Sequence, residues 1–319
     1  MKNNLVFLLF WFCLTVANSS AAESGVVGTT GGLVLRLDSS VRAVGLGGAY
    51  TAINDNPDGI LYNPAVISSM DETSLSYTHN EFLSNTRYDS LSLILPMVKP
   101  FGNIGTHLLV YYTDPIESTD LNGQPLPKSY FGYGTVGALS FGGNIHELLR
   151  AGINLKIFNE GLTGYFSRYG LAVDFGVQLR RIPLPWPVVD SLRIGFILRN
   201  IGLRFDQSQI TLTPASFNFG CAYYLPGTIY GTLVFVVDTD FSSGRPPVFA
   251  AGAEYLFRNK FYLRFGYRYA LGGQTNVANS MVGLSTGLGW KTEKYLLNYS
   301  YSPYANLGDL HRISVQVKF

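Results

Sequence analysis

From Arg312 to Phe319 the chain alternates without a break, with Ile313, Val315, Val317 and Phe319 apolar and Arg312, Ser314, Gln316 and Lys318 polar. A repeat of two marks a β-strand with one greasy face. The same pattern runs through Phe261, Leu263, Phe265, Tyr267 and Tyr269, with Arg264, Gly266 and Arg268 among the residues between them. An arginine turned to lipid near the bilayer midplane costs about 2 to 4 kcal/mol, so the aromatic face is the outer one. Beyond the apolar run Leu5 to Val16, no stretch approaches the roughly 18 uninterrupted apolar residues of a spanning helix. Strands with one greasy face and no spanning helix cross a membrane only as a closed barrel.

Fourteen such runs are present, near 72–82, 88–98, 101–112, 129–143, 150–160, 166–181, 191–201, 215–225, 229–240, 247–257, 260–270, 281–290, 294–303 and 308–319. The expectation is an all-β transmembrane antiparallel barrel of about 14 strands in outer-membrane lipid, with both barrel ends of the chain on one side. If the first strand runs outward, the long loops 113–128, 202–214 and 271–280 fall outside. Short turns at Lys99-Pro100, Pro226 to Thr228 and Arg258-Asn259 then fall on the periplasmic side, with Pro183 to Asp190 the long exception. A soluble β-sandwich also alternates, but it buries its apolar faces against each other and rarely carries 21 tyrosines. Charged residues make up only 14% of the chain, against about 25% in soluble domains. The net charge of +2, with no basic run longer than Arg180-Arg181, argues against a nucleic-acid partner.

Residues 1–22 have the layout of a secretory signal peptide, with a short apolar run followed by small residues up to Ala22. This implies export to the outer membrane of a double-membraned bacterium. Cys13 follows the bulky Phe12, which disfavours lipid attachment, and cleavage after Ala22 leaves Cys221 without a disulfide partner. Phe319 closes an alternating terminal strand, the kind of signal that outer-membrane assembly machinery recognises.

Residues 23–71 do not alternate and form a separate segment ahead of the barrel at 72–319. Its glycines permit close backbone approach, Ala49 to Asn54 could form a short helix, and Asn63-Pro64 marks a turn. The series Arg42, Ala43, Gly45, Gly47, Gly48, Ala49, Thr51 and Ala52, then Asp55, then Asn63-Pro64-Ala65 resembles the start of FadL-type outer-membrane proteins. Asn200-Ile201-Gly202 is similar to a phrase of the PorV/PorQ branch of that group. The resemblance implies a fourteen-stranded barrel with a lumenal N-terminal plug. It also implies passive diffusion of a small hydrophobic or amphiphilic compound, such as a fatty acid, past the plug and sideways through the wall, with no catalysis and no cofactor. The PorV-like alternative is a barrel that serves protein secretion or surface attachment, with secretion-system proteins as partners. The short chain leaves no room for large outer loops and favours the smaller relatives.

Gly102, Asn103 and Gly105 interrupt an apolar wall strand and form a candidate lateral gate, unless the glycines only make room for the plug. By alternation Lys156, Arg193, Arg199, Arg264, Arg268 and Arg312 face the lumen against Asp174 and Glu254, an excess of positive charge. Arg193, Arg199, Arg264 and Arg268 are candidate contacts for an anionic head group, set against a structural network to plug residues Asp38, Asp55 or Asp58. Gly283-Leu-Ser285-Thr-Gly287 and Gly132-x-Gly134-x-x-Gly137 match a nucleophile elbow and a dinucleotide fingerprint only as strings, because no helix follows either. His79, His107, His146 and His311 lie too far apart for a metal site, and nothing in the sequence sets Ser90 or Ser140 beside a histidine as a lipase would need.

Overall fold

A computed structural model describes residues 31–82, 86–97, 102–120, 122–182, 191–206, 209–228, 231–271, 283–304 and 308–319. The signal-peptide residues 1–22, Lys99-Pro100 and the turn 183–190 lie outside them. In chain order the strands are β1 Ser74–Glu81, β2 Thr86–Pro96, β3 Asn103–Thr113, β4 Ile116–Thr119, β5 Pro125–Tyr130, β6 Gly132–His146, β7 Leu149–Leu162, β8 Phe166–Ile182 and β9 Ser191–Phe205. They continue with β10 Ile210–Leu212, β11 Ser216–Thr228, β12 Gly231–Ser242, β13 Val248–Phe257, β14 Phe261–Ala270, β15 Leu284–Lys291, β16 Tyr295–Pro303 and β17 Asp309–Lys318.

Fourteen of these pair antiparallel with their neighbours around a closed ring, with β1 beside β17 at the seam and β8 beside β9. All fourteen alternating runs are wall strands. Strands β4, β5 and β10 belong to the long loops at one end of the barrel, where the sequence shows no alternation: β4 and β5 form a hairpin, and β10 extends the edge of β9. That end is termed the outer one, following the expectation that the first strand runs outward, and the end that holds Ser74 and Lys318, paired across the seam, the inner one. At that end Arg258 and Asn259 both take positive φ, which closes the β13–β14 hairpin tightly.

Alternation decides which face meets what. Phe261, Leu263, Phe265, Tyr267 and Tyr269 are exposed on the outside, whereas Arg264 is fully buried inside. No helix among the described residues is long and apolar enough to cross a membrane, so any crossing is made by strands. The wall is uneven in height. Strand β8 has 17 residues and β15 has 8, which at about 3.3 Å per residue is roughly a twofold difference in length.

The lumen is filled by residues 31–70. The expected helix at Ala49 to Asn54 is replaced by one at Val41–Gly45, because Ser40 caps its start by accepting from the Ala43 N–H at 3.1 Å. Positive φ at Gly47 and Gly48 then ends it. Short 3₁₀ turns follow at Pro57–Leu61 and Pro64–Ser69, each opened by a proline.

Candidate functional site

The inner part of the plug is pinned to the wall by buried polar contacts. Arg42 donates to both carboxylate oxygens of Glu254 on β13, at 2.8 and 2.6 Å, and to the Asn54 carbonyl at 3.2 Å. Glu254 also accepts from Arg264 of β14 at 2.7 Å, so one carboxylate joins plug and wall cations. Asp238 of β12 accepts from the backbone N–H groups of Tyr50 and Thr51, both at 2.8 Å. Asn63 donates to the Thr51 carbonyl at 2.9 Å and accepts from the Ala65 N–H at 3.1 Å, which holds Pro64 and the buried Ala65 against the wall.

Gly47 shows why the motif needs glycine. A Cβ there would lie 2.7 Å from the Tyr267 backbone nitrogen, and its φ of 70° disfavours any side chain. Gly266 faces it from β14 with equally little room, so two backbones touch where side chains would hold them apart. Gly45 approaches Gly287 in the same manner, and Gly48 lies against Arg268. Asp55 is the member without such a packing role. It takes a φ of 69° and lies exposed at the inner end. Nearby Asp58 is fully buried: burial pushes its carboxyl up to about 7, against the pull of the Ser40 hydroxyl and Arg42.

The outer part of the plug, Gly32 to Leu37, is held differently. Val34, Leu35 and Leu37 pack onto one sector of the lumen wall where Tyr88, Leu109, Val136 and Phe158 turn inward from β2, β3, β6 and β7. The polar ties of this part include Gly32 N–H to Glu160 at 2.9 Å and Arg36 to the Ser243 carbonyl at 2.5 Å. Beside this sector a cavity of about 180 Å³ opens, lined on one part by Leu37, Val44, Phe82, Tyr88 and Leu284 and on the other by Arg36, Asp38, Arg268, Ser285, Ser302 and Arg312. Its volume is that of a single ring, since about 150 Å³ suffices for benzene, and its lining is part apolar and part charged.

Of the candidate anion contacts, Arg264 pairs with Glu254, Arg268 with Asp38 at 3.1 Å, and Arg199 with Asp240 at 3.1 Å. Burial pushes the Asp38 carboxyl up, but Arg268 beside it brings it below its ordinary range. The expected excess of positive charge is thus largely matched by Asp38, Glu160 and Asp240. Arg193 differs: it donates to the Tyr224 hydroxyl at 2.9 Å and stacks over that ring.

Strand β3 pairs without a register shift to β2 on one side and β6 on the other. Asn103 donates to the Ile67 and Met70 carbonyls of the plug, both at 2.7 Å, and a Cβ on Gly105 would lie 2.9 Å from Ile60. Gly102, with φ 90°, sits just ahead of the strand against Gly142. Asn103 and Gly105 face the plug in an unbroken ladder, and Gly102 lies outside it. Phe319 follows β17 and donates from its N–H to the Thr73 carbonyl at 2.9 Å, at the seam. Ser285, inside the elbow-like string, lies on β15 and accepts from the Gly47 N–H at 3.1 Å, and the other glycine string lies on β6. His107 is buried beside Ser92 at 2.8 Å, inside the lumen rather than on the lipid face. Among the described residues no group of His, Cys, Asp or Glu side chains has metal-site geometry.

No protein-family model matches the sequence, and a search of curated proteins returns no relative. Solved structures do match. The Pseudomonas putida toluene transporter TodX superposes with a TM-score of 0.60 at 11% identity, covering 87% of this chain and 97% of that one. The Ralstonia pickettii toluene transporter TbuX gives 0.58 at 12% identity, with coverage of 87% and 97%. A Pseudomonas aeruginosa FadL homologue gives 0.50 at 11% identity, covering 88% and 98%. The fold of this chain is therefore that of the FadL-type barrels, a closed fourteen-stranded wall around an N-terminal plug.

Proposed function

We propose that the chain is an outer-membrane channel through which a small hydrophobic compound diffuses passively, without catalysis or cofactor. The observation that carries this reading is the apolar sector of Tyr88, Leu109, Val136 and Phe158, which is covered by Val34, Leu35 and Leu37 at the outer end of the plug, whereas the other apolar patches of the wall, at Ala222, Val234, Val236 and Ala250 and at Ile94 and Ala138, are packed under the inner plug. A hydrophobic solute needs such a sector. Two of the barrels with this fold are toluene transporters, which accords with a solute of ring size.

In this mechanism the solute enters from the outer end, displaces Val34 and Leu35 from the apolar sector, and takes over their contacts. The lateral exit at Gly102, Asn103 and Gly105 belongs to the same reading, and opening it requires Asn103 to release the Ile67 and Met70 carbonyls. Proteoliposomes holding the protein should take up labelled toluene faster than empty vesicles. Equal rates would remove the transport reading.

A second reading, a barrel that holds other proteins at the cell surface, is favoured by one feature. The tall side of the wall and its added strand β10 expose Tyr165, Tyr169, Ile210 and Leu212 at the outer end. Co-purification of a surface protein that is lost on changing Ile210 and Leu212 to Ser would support it.

A further inference from the structure

Outward side chains set where hydrocarbon can lie against the wall, because the apolar band of a bilayer spans about 25 Å of a barrel and a charge costs most at its middle. At the seam that apolar surface is short. Above Leu75 and Tyr77, β1 turns His79 and Glu81 outward; above Leu91, β2 turns Asp89 and Arg87 outward; above Ile313, β17 turns out His311. Counted from the inner ends Ser74, Pro96 and Lys318, His79 lies five residues up β1, and Asp89 and His311 lie seven up β2 and β17. At a rise of about 3.3 Å per residue and a tilt near 40°, those are heights of about 13 and 18 Å. A flat band of about 25 Å starting at the inner end would put its midplane at His79 and leave Asp89 inside the hydrocarbon.

Seven steps round the ring in either direction lead from β17 to β9. There the outward side chains stay apolar from Leu192 to Phe205 on β9 and from Val177 to Tyr169 on β8, with Leu198, Ile201, Leu203 and Phe205 exposed. Fourteen residues separate Ser191 from Phe205, a height of about 35 Å at the same rise and tilt. The inner ends show no matching slant. Polar turns at Asp71-Glu72, His146-Glu147, Arg258 to Lys260 and Thr292 to Lys294 ring that end. A tilt of the whole barrel would sink some of them in hydrocarbon, so the unevenness belongs to the outer side of the bilayer.

The polar groups at the seam form a connected cluster. Asp89 accepts from the Tyr77 hydroxyl at 2.8 Å and the Tyr112 hydroxyl at 3.2 Å and pairs with His79 Nδ1 at 2.7 Å. His311 Nδ1 lies 2.8 Å from the Tyr299 hydroxyl. Tyrosines beside charged groups suit the head-group level, where a ring meets hydrocarbon on one edge and water on the other.

We propose that the outer leaflet meets this barrel along a slanted line, with polar head groups and water descending to His79, Asp89 and His311 at the seam and hydrocarbon climbing to Phe205 on the opposite wall. The bilayer is then thinner than average on one side of the protein and thicker on the other, a mismatch that membranes accommodate by local deformation. This contact is independent of what passes through the lumen, and it gives the tall face a lipid cover in place of the protein partner of the second reading.

Nitroxide labels attached through Leu91→Cys or Leu203→Cys, in a cysteine-free background and in dioleoylphosphatidylcholine vesicles, test this line. The readout is collision with oxygen, which concentrates in hydrocarbon, and with a polar nickel chelate, which stays in water. Leu91 lies about 13 Å and Leu203 about 30 Å above the inner end. A flat membrane therefore makes Leu91 the oxygen-rich site and Leu203 the nickel-rich one. The slanted line reverses the order, with the ratio of oxygen to nickel collisions several-fold higher at Leu203. Adding His79→Leu, Asp89→Leu and His311→Leu should let hydrocarbon rise over the seam and raise the ratio at Leu91 several-fold, without change at Leu203. Unheated gel mobility confirms that each variant is folded. The flat-membrane order would overturn the proposal, as would a label at Leu91 shielded from both reagents, which would mean that protein covers the seam. An unchanged ratio at Leu91 in the triple variant would overturn the role of the three side chains.

Discussion

Two stretches of the plug are held to the same wall by different means. From Arg42 to Asn63 the chain is fixed by buried charge and backbone donors aimed at Glu254 and Asp238, in addition to an apolar cluster that Leu46, Tyr50 and Ile53 share with Ala222, Val234 and Val236 of the wall. From Gly32 to Leu37 it is held mainly by apolar side chains laid on an apolar sector. A charge-pinned stretch cannot leave without stranding buried ions, which is costly in a region of low dielectric. An apolar cover can leave if something equally apolar takes its place. The difference separates a fixed stopper from a replaceable cover, and in the proposed function the outer stretch is the part that the hydrophobic solute would replace.

The largest expected effect comes from breaking the stopper. Glu254→Gln leaves Arg42 and Arg264 buried without a counter-charge, and loss of one partner of a buried pair costs about 3 to 5 kcal/mol. The temperature at which the unheated gel form converts to the unfolded one should fall markedly. An unchanged temperature would place the anchor elsewhere.

Asp58 sharpens the comparison through pH. Its folded carboxyl titrates near 7, above the ordinary value of 3.8, so the folded state holds the proton more tightly. The stability linked to this proton is complete below about pH 4, declines as the pH rises, and is lost above about 7. Asp58→Asn should abolish that decline and stabilise the stopper at pH 8, read as slower amide exchange at 57–61. A variant with the wild-type pH profile would refute the assignment. Asp238→Asn, which weakens the acceptor for the Tyr50 and Thr51 N–H groups, should cost about 1 to 3 kcal/mol and speed exchange at those two amides.

Strand positions follow from the sequence because lipid on one side and plug on the other impose a repeat of two, clearest at 261–269 and 312–319. Where both faces are apolar the parity disappears. Leu233 to Val237 of β12 is one continuous apolar run, so the face of Asp238 and Asp240 beyond it has no local parity signal, and the lumen carries more carboxylates than alternation alone reveals. The apolar sector was hidden for the same reason: Leu108, Leu109 and Val110 of β3 show no polar face, although only Leu109 turns inward. The motif glycines marked close approach, but their partners across the lumen, such as Gly266 and Gly287, are set by barrel closure and not by local sequence. The helix lies earlier than 49–54 because the Ser40 cap and the positive φ at Gly47 outweigh the helix-forming character of the alanines.

The smallest effect should come from the cover. Val34→Asn places an amide on the apolar sector at a cost of about 1 to 3 kcal/mol. It should raise amide exchange at 33–37 while leaving exchange at 41–63 and the overall unfolding temperature unchanged. A global loss of stability would show that the two stretches are not separate.

The most direct test locks the cover in place. A Cβ added at Gly134 would lie 3.3 Å from the Val34 Cβ, close to the 3.5 to 4.5 Å span that a disulfide needs. A Val34→Cys, Gly134→Cys pair in a Cys221→Ser background should form that bond under oxidising conditions. Flux of labelled toluene into proteoliposomes is then measured before and after reduction. The account predicts flux near that of empty vesicles when oxidised and wild-type flux when reduced; equal flux in the two states, with the disulfide verified, would contradict it.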